Sequence, residues 1–599
     1  MWRGAPNMDS LVALSATASF LYSLTMTWGI AMHGGGGAHA LFYESAAVVV
    51  ALVSVGKYLE ERSQEKTQEA IGRLMRLAPD TALRVEADGT REVPVAEVRI
   101  GDCLLVKPGE RIPLDGCVVA GSGHVNEAML TGESLPVGKT IGEMVIGGCI
   151  SVDGALTVRV THIGEDTTLA KIIRFVEEAQ GRKAPISKVA DRVSGFFVPL
   201  VMIVALGAAG IWMFCGADFS FALRIFTCVL VIACPCALGL ATPIALMVGT
   251  GMGASHGILV RSGAALELAQ QVKTVLLDKT GTLTCGTPTL TDVVLVPGTS
   301  GTESDLLKTA CALESLSQHP LAQAVCAAAT ARDLPSPAAT NEPSAVTDFV
   351  NHPGRGLTGY DANHRPIYAG NVTLMEEHGI DVVPCAREAG VLRAQGKTLI
   401  FVARDQTLLG LLALADTLRP DARDAVAAMR AMGLHTVLLT GDHQAAADYI
   451  GRAVGVDEQV AEVRPTEKAA VVQRHQRDGR RVMMVGDGIN DAPALVQADV
   501  GCAIGNGSDI AIDSADMVLM KTDLMDVVRA LRLGRLTLRH IKQNLFWAFA
   551  YNVLGIPIAA GVLYPATGLL LSPMIGGLAM SLSSLFVVGN ALRLKRQPL

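Results

Sequence analysis

Long stretches of the chain carry no charge: Asp, Glu, Lys and Arg are absent from Ser10 to Tyr43, Ser45 to Gly56, Ser194 to Ala217, Ile225 to Ser255 and Gln543 to Leu592. A helix needs about 20 mostly apolar residues to cross a bilayer. These gaps therefore predict three helix pairs, roughly 10–31 with 40–60, 194–214 with 220–250, and 543–563 with 569–592. Turn residues split each pair: Gly34 to Gly37, Cys215-Gly216-Ala217-Asp218, and Tyr564-Pro565. The short connections lack Lys and Arg, whereas Lys57, Arg62 and Lys66 follow the second helix and Arg593, Lys595 and Arg596 close the chain. That basic bias predicts both termini and both long polar regions on the cytoplasmic side.

The two polar regions differ in pattern. Within 61–190, short β-like runs such as Cys103–Val106 and Ala155–Val158 are broken by Gly and Pro, predicting a small β-rich domain. Within 257–535, apolar strands at Thr274–Leu277, Thr436–Leu439 and Val482–Val485 precede helical patterns, the alternation of a parallel α/β sheet. Between its halves, about 290–405 is more polar and rich in Ala, Ser and Pro, and is expected to be an inserted domain. Composition agrees with partial burial in lipid. Only 18% of the chain is charged, against roughly 25% in soluble domains. With net charge −7 and 4% aromatic residues, no basic surface for nucleic acid is expected. The 12 Cys form no regular framework, which points to a reducing compartment.

Candidate chemistry collects at strand ends. Asp278 closes the strand Thr274–Leu277, Thr440-Gly441-Asp442 follows a second strand, and Gly486-Asp487-Gly488-Ile489-Asn490-Asp491 a third, with Lys468 on a nearby helical stretch. The carboxyl ends of parallel strands are where such sheets bind ligands. This set suits phosphoryl transfer: Asp278 as nucleophile, Mg²⁺ on Asp278 and Asp487, and Thr440 and Lys468 holding the remaining oxygens.

Asp278-Lys279-Thr280-Gly281-Thr282-Leu283-Thr284, Thr440-Gly441-Asp442 and Gly486–Asp491 resemble the signatures of P-type ATPases within the haloacid-dehalogenase-like fold. Many phosphatases of that fold place a second Asp two residues after the nucleophile; Thr280 stands there, so an aspartyl-phosphate is expected to persist and drive a conformational change. The resemblance adds Asn490 and Asp491 to the catalytic set, Thr280 to the Mg²⁺ ligands, and Gly441 and Asp442 to the nucleotide contacts. Thr131-Gly132-Glu133-Ser134 matches the actuator loop, implying that Glu133 activates water on the phosphoaspartate. The inserted domain carries Glu314, Ser317-Gln318-His319-Pro320 and Gly354-Arg355-Gly356, similar to the nucleotide-binding domain of the heavy-metal branch. The family usually has Glu where Gln318 stands. Residues 354–359 also read Gly-x-Gly-x-x-Gly, but with no strand before and no helix after a dinucleotide site is not expected. Gly396-Lys397-Thr398 lacks the earlier Gly of a phosphate loop, since Val391 stands there.

In the fourth predicted helix, Ala233-Cys234-Pro235-Cys236-Ala237 places two thiols around a Pro that interrupts the helix. Irregular backbone in a membrane is tolerated where it is buried or lines a pathway, and soft sulfur ligands select Cu(I) and similar ions. Tyr551-Asn552 and Met580-Ser581-Leu582-Ser583-Ser584 resemble the pattern of copper(I)-exporting members; zinc or cadmium pumps typically carry a charge there. This implies Tyr551, Asn552, Met580 and Ser584 as further contacts of the transported ion. The resemblance also places Glu44 on the release side and Asp191, with Met8, at the cytoplasmic entry. Family members usually begin earlier, with two more helices and soluble Cys-x-x-Cys domains. The resemblance thus implies a short N-terminus without the docking platform for a cytoplasmic copper chaperone.

The expected protein is a multi-domain membrane protein: an α-helical transmembrane bundle, a β-rich actuator domain, and a haloacid-dehalogenase-like α/β phosphorylation domain with an inserted α+β nucleotide-binding domain. Its predicted order is helices 1–60, actuator 61–188, helices 189–256, phosphorylation domain 257–289 and 406–537 around nucleotide domain 290–405, and helices 538–599. The function implied is ATP-driven export of Cu(I), with Ag(I) as a surrogate, across a bacterial plasma membrane. A pump of the same mechanism for Zn(II), Cd(II) or Co(II), and a membrane metal sensor with a vestigial ATPase, are the alternatives; a membrane-anchored phosphatase is disfavoured by Thr280.

Overall fold

The computed structural model describes residues 8–33, 41–75, 79–86, 89–127, 136–181, 185–233, 236–297, 301–334, 346–477, 479–505 and 509–599. The chain divides into two compact units, Met1–Gln271 with Arg529–Leu599, and Val272–Val528.

The first unit holds the apolar helices. They are Met8–His33, Tyr43–Met75, Pro185–Phe214, Phe219–Ile232, Cys236–Ala254, Met525–Ala559, which enters this unit at Arg529, and Pro573–Leu592. Among the described residues four segments qualify as spans by length and composition: Ser10–Met32, Gly195–Phe214, Phe219–Ala254 and Pro573–Arg596. The other two predicted spans are the apolar parts of the longer helices Tyr43–Met75 and Met525–Ala559, which run on into charged sequence. Phe196, Ile203, Phe214 and Leu554 face outward, as side chains against lipid do, while Ile225, Val229, Leu230 and Ala233 pack inside.

The same unit contains a six-stranded sheet in the order 89–94, 81–86, 103–106, 156–160, 116–120, 144–145, with antiparallel pairing. The expected β-runs are thus strands, Cys103–Val106 and Leu156–Val160. Buried Asp115 ties the sheet to the following helix by accepting from the amides of Gly147 (2.7 Å) and Thr168 (2.6 Å). A smaller sheet pairs Gly123–Asn126 with Val137–Lys139. These two strands flank residues 128–135, which hold Thr131 to Ser134 and lie outside the described residues.

In the second unit, a parallel sheet runs in the order 517–519, 500–504, 481–486, 272–278, 435–439, 458–460. Strands Val272–Asp278 and Arg481–Gly486 are almost wholly buried, as their unbroken apolar runs require of strands covered on both faces. The inserted part is an antiparallel six-stranded sheet ordered 284–295, 407–418, 398–404, 366–370, 356–360, 347–352. Helices Glu303–Glu314 and Pro320–Thr330 build the core on one face. Val372–Glu377 and Ala386–Ala394 build it on the other. This sheet extends beyond the expected 290–405 on both sides. Its two longest strands, Thr284–Leu295 and Thr407–Leu418, are the chain's two crossings into the insertion, and they pair with each other.

One sequence expectation is corrected. A strand, Thr347–His352, does precede Gly354-Arg355-Gly356, but the next element is strand Gly356–Tyr360, paired back as a hairpin. An antiparallel turn replaces the strand-to-helix turn of a dinucleotide site. Lys397 is likewise engaged, its Nζ 2.6 Å from Asp292.

Candidate active site, nucleotide cavity and helix break

Three strands of the parallel sheet end side by side and deliver the acidic groups. Asp278 is the last residue of Val272–Asp278, its neighbour Arg481–Gly486 leads into Asp487 and Asp491, and His435–Leu439 on the other side leads into Thr440. Lys468, the first residue of helix Lys468–Arg477, donates to Asp278 Oδ1 and Asp491 Oδ1, both at 2.6 Å. All three side chains are nearly inaccessible. Burial pushes the Asp278 carboxyl up to about 7, with Asp491 adding to the shift and Lys468 opposing it. Burial and Asp491 also raise Asp487. Burial works against the Lys468 ammonium, yet the two carboxylates outweigh it and lift its pKa.

One ammonium thus faces three carboxylates. Oxygens of Asp278, Asp487 and Asp491 lie within 4.8 Å of one another, a hard, oxygen-rich cluster with uncompensated negative charge that fits Mg²⁺. Thr440 is buried, and its Oγ1 accepts from the Asp442 amide at 3.1 Å. Asp442 in turn receives the Lys279 ammonium at 2.7 Å. Thr280 and Asn490 are exposed beside the cluster.

The turn after Asp278 needs Gly281, which sits at φ +71 where an added Cβ would fall on the Asp487 carboxylate. Gly281→Ala is expected to lower phosphorylation at least about tenfold, by displacing Asp487 and straining the left-handed backbone. Phosphoenzyme yield measured beside an unchanged circular dichroism spectrum tests this.

Sequence reasoning missed the clamp that holds this turn. Arg419 donates to the carbonyls of Gly281 (2.7 Å) and Thr282 (2.9 Å). Asp416 accepts from Thr284 Oγ1 (2.5 Å) and the Gly286 amide (2.8 Å). The available signal was the apolar run Leu408–Ala415 ending abruptly in Asp416 and Arg419.

The inserted domain has a cavity of about 340 Å³ lined by Glu314, Ser317, His319, His352, Gly354 and Gly356, among others. The expected nucleotide contacts Glu314, His319, Gly354 and Gly356 therefore meet in one place. His319 caps helix Pro320–Thr330 through Nδ1, which accepts from the Leu321 amide at 3.2 Å. Gly356, at φ +145, has no room for a Cβ against Ala369 and Gly370, whereas the space beside Gly354 is open.

Burial pushes the Glu314 carboxyl up to about 7, with Cys311 adding to it. The folded protein therefore holds a proton that the unfolded chain releases near 4.5. The stability this gives is full below about 4.5 and is lost as pH rises to about 7. Glu314→Gln is expected to flatten that slope, read as melting temperature of the nucleotide-free protein across this window.

In the apolar helices, Asn544 Nδ2 donates to the Ala241 carbonyl at 3.1 Å. A Cβ on Gly249 would meet Thr537, and one on Gly555 would meet Ile232. Helix Met525–Ala559 thus runs antiparallel to Phe219–Ile232 and Cys236–Ala254 in one register. Residues 544–555 face the interval 232–241, bringing Asn552 level with the break between those two helices. Asn552 is fully buried, and its Oδ1 accepts no hydrogen bond among the described residues. Met580 packs with Val231, and Val587 with Ala237 and Leu238, so buried Ser584 lies on the same face one turn from each. A buried thioether, an unpartnered amide oxygen and a hydroxyl around a helix break suit a desolvated soft cation. Tyr551 is half-buried beside Asn552. Cys234 lies outside the described residues, as do the side chains of Cys236, Asp191 and Met8, and all of Glu133. Glu44 is exposed in the first turn of Tyr43–Met75.

Comparison with known proteins accords with these observations. Residues 272–499 match the haloacid dehalogenase-like hydrolase family, and residues 76–177 match the P-type ATPase actuator domain. "Copper-transporting ATPase 1" of Rhizobium meliloti (strain 1021) is 46% identical over 595 residues, 99% of this chain and 71% of that protein. "Silver exporting P-type ATPase" of Salmonella typhimurium is 44% identical over 98% of this chain and 71% of that protein. "Copper-exporting P-type ATPase" of Bacillus subtilis (strain 168) is 44% identical, covering 98% and 72%. Among solved structures, a zinc-transporting PIB-type ATPase in the E2·Pi state superposes with TM-score 0.65 at 31% identity, covering 98% of this chain and 90% of that one. A strand-end aspartate bridged by lysine, a match to the actuator domain and relatives 44–46% identical over nearly the whole chain lead to one conclusion: the chain is a member of the P-type ATPases.

Proposed function

We propose that the chain exports Cu(I), and Ag(I) as its surrogate, from the cytoplasm by way of an aspartyl-phosphate on Asp278. The observation that carries the choice of ion lies level with the interval between helices Phe219–Ile232 and Cys236–Ala254, where Asn552 Oδ1 is buried and accepts no hydrogen bond among the described residues, with Met580 buried nearby. No charged residue occurs from Gln543 to Leu592 to suit a divalent ion. The sequence relatives reported above are named for copper or silver. The solved neighbour named for zinc is more distant, at 31% identity.

In this reading ATP lies in the Glu314–His319–Gly354–Gly356 cavity and presents its γ-phosphate to Asp278. The Asp278 carboxylate forms the new P–O bond as the bond to ADP breaks. Lys468 keeps Asp278 and Asp491 oriented and offsets charge, and Thr440 with Gly441 and Asp442 contacts the phosphoryl oxygens and nucleotide. Mg²⁺, held by Asp278, Thr280, Asp487 and the neighbouring Asp491, would neutralise the transferred phosphoryl group. With no acid at Thr280, hydrolysis waits for Glu133 to activate water. Cys234, Cys236, Tyr551, Asn552, Met580 and Ser584 hold the ion. It enters past Met8 and Asp191 from a cytoplasmic copper chaperone and leaves past Glu44, with both termini cytoplasmic in a bacterial plasma membrane. Linkage requires that metal affinity differ between the phosphorylated and free forms.

Phosphoenzyme formation from labelled ATP with Cu(I), Ag(I), Zn(II) or no metal tests the proposal. Label is expected with Cu(I) and Ag(I). Label with Zn(II) alone would assign a different cargo, and equal label without metal would remove coupling altogether.

A further inference from the structure

Two thiols sit in the core of the inserted domain, on the two helices whose facing ends line the cavity. Cys311 belongs to helix Glu303–Glu314 and Cys326 to helix Pro320–Thr330, and their Sγ atoms are 3.4 Å apart. Cys311 is 1% exposed and Cys326 half-buried, so an oxidant reaches the second first. The residues between them include Glu314, one turn beyond Cys311, and Ser317 and His319, all three lining the cavity. Both thiols belong to the packed core of this face, where Ala310 and Leu313 are fully buried.

We propose that Cys311 and Cys326 are a reversible disulfide site whose closure lowers nucleotide affinity. This inference rests on the nucleotide reading of the cavity. A peroxide oxidises the Cys326 thiol to a sulfenic acid, releasing one water. The Cys311 sulfur then attacks that sulfur, the S–OH bond breaks, and the second water leaves with the Cys311 proton. Two electrons pass from the sulfurs to the O–O bond. A soft metal ion on the pair is the poorer occupant, because it would bury two thiolates beside Glu314, whereas the disulfide buries no charge. The hydrogen bond between the thiols and their burial raise the Cys326 pKa, which makes the oxidation slow.

Bond formation draws the sulfurs from 3.4 Å to about 2 Å. The surrounding core is close-packed, so part of that movement passes along the helices to Glu314 and His319.

The full-length protein, first fully reduced, is titrated with a non-hydrolysable ATP analogue, then treated with hydrogen peroxide and titrated again. Mass spectrometry is expected to find the Cys311–Cys326 cross-linked peptide, with affinity at least about fivefold weaker and recovered by dithiothreitol. Cys326→Ser and Cys311→Ala are each expected to keep their affinity through oxidation, which separates this pair from the membrane thiols. Absence of the cross-link after prolonged oxidation, or a cross-link with unchanged affinity, overturns the proposal. Failure of the reduced protein to bind the analogue would instead overturn the nucleotide reading.

Discussion

Asp278→Asn abolishes the acid-stable phosphoenzyme and lowers metal-dependent ATP turnover at least about 10³-fold, because an amide cannot serve as the phosphoryl acceptor. The variant is expected to fold as well as the parent or better. Asp278 is a buried carboxylate whose ionisation is opposed by burial and by Asp491, so a neutral isostere relieves charge. Lys468→Ala is the informative contrast. It leaves Asp278 and Asp491 buried and facing each other without the ammonium that now touches both at 2.6 Å. Removing one partner of a buried ion pair costs about 3–5 kcal/mol. Lys468→Ala should therefore lose phosphorylation and melt several degrees lower, while Asp278→Asn loses phosphorylation alone. Labelling from ATP and thermal unfolding, measured on both variants, check the pair of outcomes. Persistence of label in Asp278→Asn would remove that residue from the chemistry.

The strand ends were legible because a parallel sheet announces itself in unbroken apolar runs. Thr274–Leu277 stops at Asp278, Thr436–Leu439 at Thr440 and Val482–Val485 at Gly486-Asp487, and topology then brings those stops together. The helix pairs were legible for a related reason, since lipid excludes charge over a length that few soluble segments match. What escaped were contacts that depend on long-range register. Arg419 and Asp416 grip the Gly281 turn only because Thr284–Leu295 and Thr407–Leu418 pair across more than a hundred intervening residues. Nothing local marks that pairing. The strand before Gly354 was missed because Thr347–His352 is polar and mostly exposed, without the apolar alternation that betrays a half-buried strand. The 3.4 Å approach of Cys311 to Cys326 follows from helix packing, and spacing alone could not supply it.

Cys234→Ser with Cys236→Ser is expected to remove Cu(I)-stimulated ATP turnover by at least about 100-fold, because a hydroxyl is a poor ligand for a soft monovalent ion. Phosphorylation of Asp278 from inorganic phosphate in the absence of metal should persist, since its site is built within Val272–Val528 while the helix break belongs to the other unit. That pattern separates a lost cargo site from a damaged phosphorylation site. Asn552 adds a second measurement with opposite signs. Its Oδ1 is buried and accepts no hydrogen bond among the described residues, so it is expected to carry a desolvation cost of about 1–3 kcal/mol in the metal-free protein. Asn552→Leu should therefore raise the melting temperature while weakening Cu(I) stimulation about tenfold. A variant that gained stability and kept its full response to Cu(I) would mean that the oxygen is idle, and the ion would have to be held by sulfur alone.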